Sequence, residues 1–135
     1  MEGLRQRKLI EPLANQVAKG IPLMGVCLGM QLLFESSEEF GQHKGLGFIE
    51  GMVKELSPVE KNVKIPHIGW NALIKLQNVD WKETILEHVK DREMVYFVHS
   101  FIPHPAHKTE CIGQTRYGGE VFCSVVKKKN IQAMQ

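Results

Sequence analysis

Between residues 3 and 19, apolar side chains at Leu4, Ile10, Leu13, Val17 and Ala18 recur among charged ones, which predicts an amphipathic helix. Pro12 falls inside it and predicts a kink or a restart, because its ring removes an N–H and collides with the preceding turn. Gly20 follows as a residue that tolerates the left-handed conformation at a helix end. Residues 21–26 form a short, uniformly apolar run, the pattern of a parallel strand buried on both faces. Residues 28–35 read as a second helix, closed by Ser36-Ser37-Glu38-Glu39 and Gly41.

Beyond this point the texture becomes β-like, with runs at 47–56, 63–67, 71–76, 94–98, 110–115, 120–126 and 130–134. Turn signals separate them, including Ser57-Pro58, the stretch from Pro103 to Pro105, and Gly118-Gly119. One helical insert is expected at 81–89. Helix, buried strand, helix and then many strands predicts an α/β fold with an antiparallel extension. At 135 residues the chain is long enough for one domain, 1–135, and too short for two.

Composition removes several classes of function. Seventeen Lys+Arg against fifteen Asp+Glu leave a charge of +2, too small a field to point to nucleic acid or an anionic membrane. Lys127-Lys128-Lys129 reads as a solvated turn between strands. No apolar run approaches a membrane span, and Met1 to Lys8 lacks the apolar core of a signal peptide. Three cysteines without framework spacing imply free thiols and a reducing, cytoplasmic setting. No zinc-ligand spacing occurs, and no metal or organic cofactor is expected.

The chemistry concentrates at Gly25-Val26-Cys27-Leu28-Gly29, between the buried strand and the second helix. Glycines two before and two after a nucleophile permit a tight strand-to-helix turn that pushes the side chain out, the thiol counterpart of a serine nucleophile elbow. A thiol there meets the unpaired N–H groups and positive end of the helix, which stabilise the thiolate. The N–H of Leu28 is placed to donate to an oxyanion once Cys27 has attacked a carbonyl. With twelve glycines in the chain, such flanking arises by chance at one of three cysteines about 2% of the time, so the pattern singles out Cys27. Cys111 and Cys123 lie in β-like runs and read as packing residues.

Such a nucleophile needs a histidine, usually oriented by a carboxylate. His88 falls on the expected surface helix, and His104 and His107 fall in a proline-containing loop. His67 and His99 lie at strand ends, where α/β sheets build their sites. Neither has an acidic residue in an obvious orienting position, so the residues alone give a nucleophile without a base.

Four segments, taken in order, carry a resemblance. Gly25 to Glu35 resembles the nucleophile motif of class I glutamine amidotransferases; Gly45-Leu46-Gly47, Pro66-His67-Ile68-Gly69-Trp70-Asn71 and Tyr96-Phe97-Val98-His99-Ser100-Phe101 follow. The set is similar to the glutaminase subunits of imidazole glycerol phosphate synthases, of histidine biosynthesis, and the likeness runs over the whole chain. It implies a flavodoxin-like mixed sheet flanked by helices and incomplete at both termini. It further implies Cys27 as nucleophile, Leu28 as oxyanion donor, and Gln31 and Glu39 as contacts to L-glutamine. Ser100 and Phe101 would hold the amino-acid end of that substrate through their backbone. Pro66, His67, Gly69, Trp70 and Asn71 would lie toward a cyclase subunit, which receives the ammonia.

Members of this family begin with strands and a Pro-Gly-x-Gly turn before the position of Met1, and continue past Gln135 into Phe-His-Pro-Glu, which supplies the histidine and glutamate. The resemblance therefore implies a chain that is inactive as written, with an open sheet edge and exposed apolar surface. A related amidotransferase for sugar amination in polysaccharide synthesis shares much of the motif set, and a fragment that only binds a partner is the alternative from outside enzymology.

Overall fold

The computed structural model describes residues 1–135. Its N-terminal helix is split into α1 (Glu2–Gln6) and α2 (Ile10–Ala18). The break comes before Pro12, at Lys8, whose φ of 55° no helix accommodates. Pro12 then sits in the first turn of α2, where its missing N–H has no intrahelical acceptor to lose. Gly20 ends the segment with φ 81°, as expected.

The chain next enters β1 (Leu23–Val26), which pairs in parallel with β10 (Ile131–Met134), joining Leu23 to Ile131 and Val26 to Met134. The expected burial on both faces is not found. β1 is the edge of its sheet, Gly25 alone is buried, and Ile21, Met24 and Val26 are 50–56% exposed. A uniformly apolar run reports what a strand can bury, not whether a neighbour is there to cover it.

α3 (Leu28–Leu32) is shorter than the helix expected over 28–35. The Leu32 carbonyl accepts the N–H of Leu46, and the Leu33 carbonyl those of Phe48 and Ile49, so the acceptors that would extend the helix are occupied. Phe34 and the residues after it form β2 (Phe34–Ser37) instead. A four-stranded sheet results, in the order β3 (His43–Lys44), β2, β4 (Ile49–Glu55), β7 (Phe101–Pro105). β7 falls where a proline loop was expected. Its place at the sheet edge explains the difference, because an edge strand bonds a neighbour on one side only. Leu56 N–H donates to the Ser100 carbonyl and Ala106 N–H to that of Glu50, which fixes the ladder parity. The even-numbered residues of β7 thus bond β4, while Phe101, Pro103 and Pro105 turn their backbone groups outward.

The larger sheet has six strands, in the order β1, β10, β9 (Glu120–Lys128), β8 (Cys111–Tyr117), β5 (His67–Lys75), β6 (Glu93–His99). β5 is one strand where two were expected, at 63–67 and 71–76; it runs through Gly69, whose φ is 142°. The expected helix at 81–89 is absent. Thr84 Oγ1 donates to the Trp81 carbonyl and accepts from Leu86 N–H, while Ile85 N–H donates to the Gln132 side chain. These bonds replace an i to i+4 ladder with successive tight turns. His88 is exposed on that turn segment.

α3 and the small sheet pack on one face of the large sheet. Met30, Leu33, Phe34, Ile49 and Val53 meet Cys111, Cys123, Val126, Ile131 and Ala133. The turn segment covers the other face, where Trp81 and Leu86 pack on Leu73, Ile112 and Val125. Each large apolar side chain buried in this way stabilises the fold by about 1.5–3 kcal/mol. The lysine run is less solvated than expected: Lys128 pairs with Glu50 at 3.3 Å and Glu110 at 3.4 Å, and only Lys129 makes the turn, with φ 53°. No helix is long and apolar enough to cross a membrane.

Candidate active site

Cys27 lies between β1 and α3 with φ 51° and ψ −114°, a backbone state that is costly for a residue with a side chain. The turn is held from β10: the N–H of Cys27 donates to the Met134 carbonyl at 2.7 Å, and the Cys27 carbonyl accepts from Gln31 N–H at 3.2 Å. The two glycines of the motif differ. A Cβ on Gly25 would stand 2.9 Å from the backbone carbonyl of Gly29, so residue 25 must be glycine for the elbow to close. A Cβ on Gly29 would meet nothing within 4 Å.

Around the thiol the polar neighbours are amides. Gln135 Nε2 lies 3.8 Å from Cys27 Sγ, and Gln135 Oε1 accepts from Gln31 Nε2 at 3.2 Å. The same Gln31 Nε2 donates to the Phe101 carbonyl at 3.3 Å. A cavity of about 320 Å³ opens beside α3, lined by Leu28, Gln31, Glu39, His43 and Lys44 among others. A second, apolar cavity of about 250 Å³ reaches Cys27 between Val26, Leu73, Phe97, Val125 and Met134. Neither histidine nor carboxylate lines that second cavity.

Leu28, Gln31 and Glu39 thus share one cavity, and Gln31 reaches from there to the Phe101 carbonyl and, through Gln135, toward Cys27. Ser100 is next to this group, with its carbonyl engaged by Leu56 N–H at 2.8 Å. The residues from Pro66 to Asn71 lie apart from it on β5, and strand alternation divides them. Trp70 is 68% exposed and meets Tyr96 edge-on, with ring centroids 5.7 Å apart. With Ile68, Met94 and Val98, the two rings form an exposed apolar face across β5 and β6. Gly69 carries the positive φ between the two outward side chains, and Pro66 precedes the strand. His67, by contrast, is 2% exposed and lies inside the sheet, and Asn71 points the same way.

His67 and His99 face each other directly across the β5–β6 ladder, with His67 Nδ1 3.0 Å from His99 Nε2. Tyr117 and Phe97 stack on His67, at 3.9 and 4.9 Å between centroids. Burial, and then the neighbouring His99, lower the His67 pKa to about 4. Burial lowers His99 as well, against the opposing pull of the Phe101 carbonyl. The sequence marked both as possible partners of Cys27; the fold pairs them with each other. No period-two signal marks this pair, since residues 95–98 are apolar throughout and the apolar positions of 67–71, Ile68 and Trp70, are the ones that point outward.

Cys111 and Cys123 are buried packing residues, each with its thiol against a carbonyl two residues on, and burial pushes the Cys123 thiol well above its ordinary pKa. A network not foreseen from the sequence joins His107 to Glu50 at 3.0 Å and, through Lys128, to Glu110.

Comparison with known proteins gives concordant results. The family model for glutamine amidotransferase class-I matches residues 4–135. The imidazole glycerol phosphate synthase subunit HisH 1 of Legionella pneumophila (strain Lens) is 40% identical over all of this chain and 65% of its own length. The HisH subunits of Sulfurimonas denitrificans and Aquifex aeolicus are 42% and 41% identical, again over the whole chain, which covers 63% and 61% of them. The chain therefore spans less than two thirds of the length of these relatives. A crystal structure of a glutamine amidotransferase superposes with a TM-score of 0.65 over 97% of this chain and 60% of the other, at 14% identity, and so shares the fold.

Proposed function

Because the chain belongs to the class-I glutamine amidotransferases, we propose that it is the glutaminase part of an imidazole glycerol phosphate synthase, with Cys27 as nucleophile. The observation that carries the reading is the strained backbone of Cys27 at a strand-to-helix elbow, with Gln31 and Glu39 on the adjoining cavity. Cys27 Sγ attacks the side-chain carbonyl of L-glutamine, and the Leu28 N–H donates to the oxyanion. The C–N bond breaks, the proton given up by the thiol passes to the nitrogen, which leaves as ammonia, and a glutamyl thioester remains on Cys27. Water then cleaves the thioester to glutamate and the free thiol. Gln31 and Glu39 hold the substrate, and the backbone of Ser100 and Phe101 holds its amino-acid end.

The ammonia passes to a cyclase subunit, which docks on the apolar face around Trp70 and Tyr96, with Pro66 and Gly69 shaping it. An exposed Trp–Tyr pair ringed by aliphatic side chains is the composition of an interface centre. Three free thiols favour the cytoplasm as the site of action. The test is protection of Cys27. L-Glutamine should slow its alkylation by iodoacetamide, read by mass spectrometry, while D-glutamine and L-asparagine should not. Equal rates in all three would reject the reading.

A further inference from the structure

The hydrogen bonds around His67 and His99 admit a single arrangement of protons when both rings are neutral. Asn71 Oδ1 accepts from Ala72 N–H at 2.8 Å and Asn71 Nδ2 donates to the Arg116 carbonyl at 2.9 Å, so the amide cannot be turned over. At the other end, His99 Nδ1 lies 3.1 Å from the Phe101 carbonyl, which can only accept, so the proton of His99 is on Nδ1. Its Nε2 is then a lone pair and takes the Nδ1 proton of His67. This leaves His67 Nε2 to accept from Asn71 Nδ2 at 3.3 Å. Donors therefore run in one direction, from Asn71 through His67 and His99 to Phe101. The carbonyl at the end of the file is the one that also accepts from Gln31 Nε2 beside Cys27.

We propose that His67 and His99 are positioning residues for the glutamine site. His99, oriented by His67, holds the Phe101 carbonyl, and through it Gln31, in place beside Cys27. What Gln31 and Phe101 do there rests on the glutaminase reading. Neither ring acts as a base in this arrangement, because every ring nitrogen is already engaged. The stack of His67 between Tyr117 and Phe97 keeps its ring from turning, so the direction of the file is fixed by packing as well as by hydrogen bonds.

The experiment uses the full 135-residue chain and 6-diazo-5-oxo-L-norleucine, a glutamine analogue that alkylates a thiol from within a glutamine site. His99→Phe keeps a flat ring and removes the donor to Phe101. Its half-saturating analogue concentration is expected to rise about three- to tenfold, the range for one lost hydrogen bond. Alkylation of Cys27 by iodoacetamide, which needs no glutamine site, should stay within about twofold of the unaltered rate if the elbow itself is intact. His99→Asn, whose amide N–H can reach the same carbonyl, should recover most of the loss. Imidazole ¹⁵N NMR at neutral pH should find both rings of the unaltered chain protonated on Nδ1, and in His67→Phe the bare Nε2 of His99 shifted downfield by loss of its donor while Nδ1 keeps the proton. A proton on Nε2 of His99, or an unchanged half-saturation in a folded His99→Phe, would overturn the inference while leaving the glutaminase reading in place. If His99→Phe does not fold, His99→Asn and the NMR spectrum decide the question. If the unaltered chain shows no saturable labelling, the glutaminase reading fails and the positioning role fails with it.

Discussion

Lowering the pH from 7 to 5 should cost this fold about 2 kcal/mol through His67 alone. In the unfolded chain this histidine takes up a proton near its ordinary value of 6.5, whereas in the native state it resists until about 4. The unfolded state therefore binds more protons between those values, and the sign follows. His67 contributes its full stability above pH 6.5, loses about 1.4 kcal/mol per pH unit below it, and levels off near pH 4. No carboxylate faces His67 to relieve the protonated form: its neighbours are His99 from β6, the Asn71 amide, and the rings of Tyr117, Phe97 and Phe122. A proton on His67 Nε2 would confront the Asn71 N–H. His99 and His104, both lowered first by burial, add losses of the same sign. Glu50, lowered first by its hydrogen bond to His107, and Asp80, lowered first by the Lys82 N–H, act below their ordinary values of 4.5 and 3.8, outside this window. Urea unfolding followed by tryptophan fluorescence at pH 7, 6 and 5 gives the slope directly. His67→Phe keeps the aromatic stack without a titrating nitrogen, and should lose about 2 kcal/mol less over the same interval. Stability that is flat or rising toward pH 5, or an identical slope in His67→Phe, would refute the reasoning.

Limiting iodoacetamide on the folded chain should modify Cys27 ahead of Cys111 and Cys123, which are only 5% and 7% exposed; preferential labelling of either buried thiol would contradict the elbow. Gly25→Ala should cost about 1–3 kcal/mol in urea unfolding, because its methyl group strikes backbone that cannot move aside. Gly29→Ala, placed in a helix with open space around it, should hold or slightly raise stability. Trp81→Phe removes the 2.7 Å hydrogen bond to the Ile112 carbonyl and should cost about 1–3 kcal/mol, the range for a buried acceptor left unpaired.

What the sequence disclosed and what it withheld divide along physical lines. The nucleophile turn was legible because its signal is local: two glycines, one cysteine, and a change from a strand run to a helix run. Gln31 could be placed near Cys27 by resemblance, but not its bond to Phe101, which spans seventy positions and depends on β7. That strand escaped notice because prolines at 103 and 105 signal a turn whenever the sheet edge is unseen. The expected helix at 81–89 failed for a related reason, since Gln132 and Thr84 compete for its backbone. The resemblance groups His67 with Trp70 as one surface, although positions an odd number apart on a strand face opposite ways.

The outward row of β7 has one more consequence, for aggregation. A strand edge that offers free N–H and C=O groups is a template on which another chain can grow. Here Pro103 and Pro105 have no N–H to offer, and the Phe101 carbonyl is already taken twice, by His99 and by Gln31. The bonds that order the candidate site thereby also close this margin of the small sheet to intruding strands, a margin where Pro103 is itself fully buried.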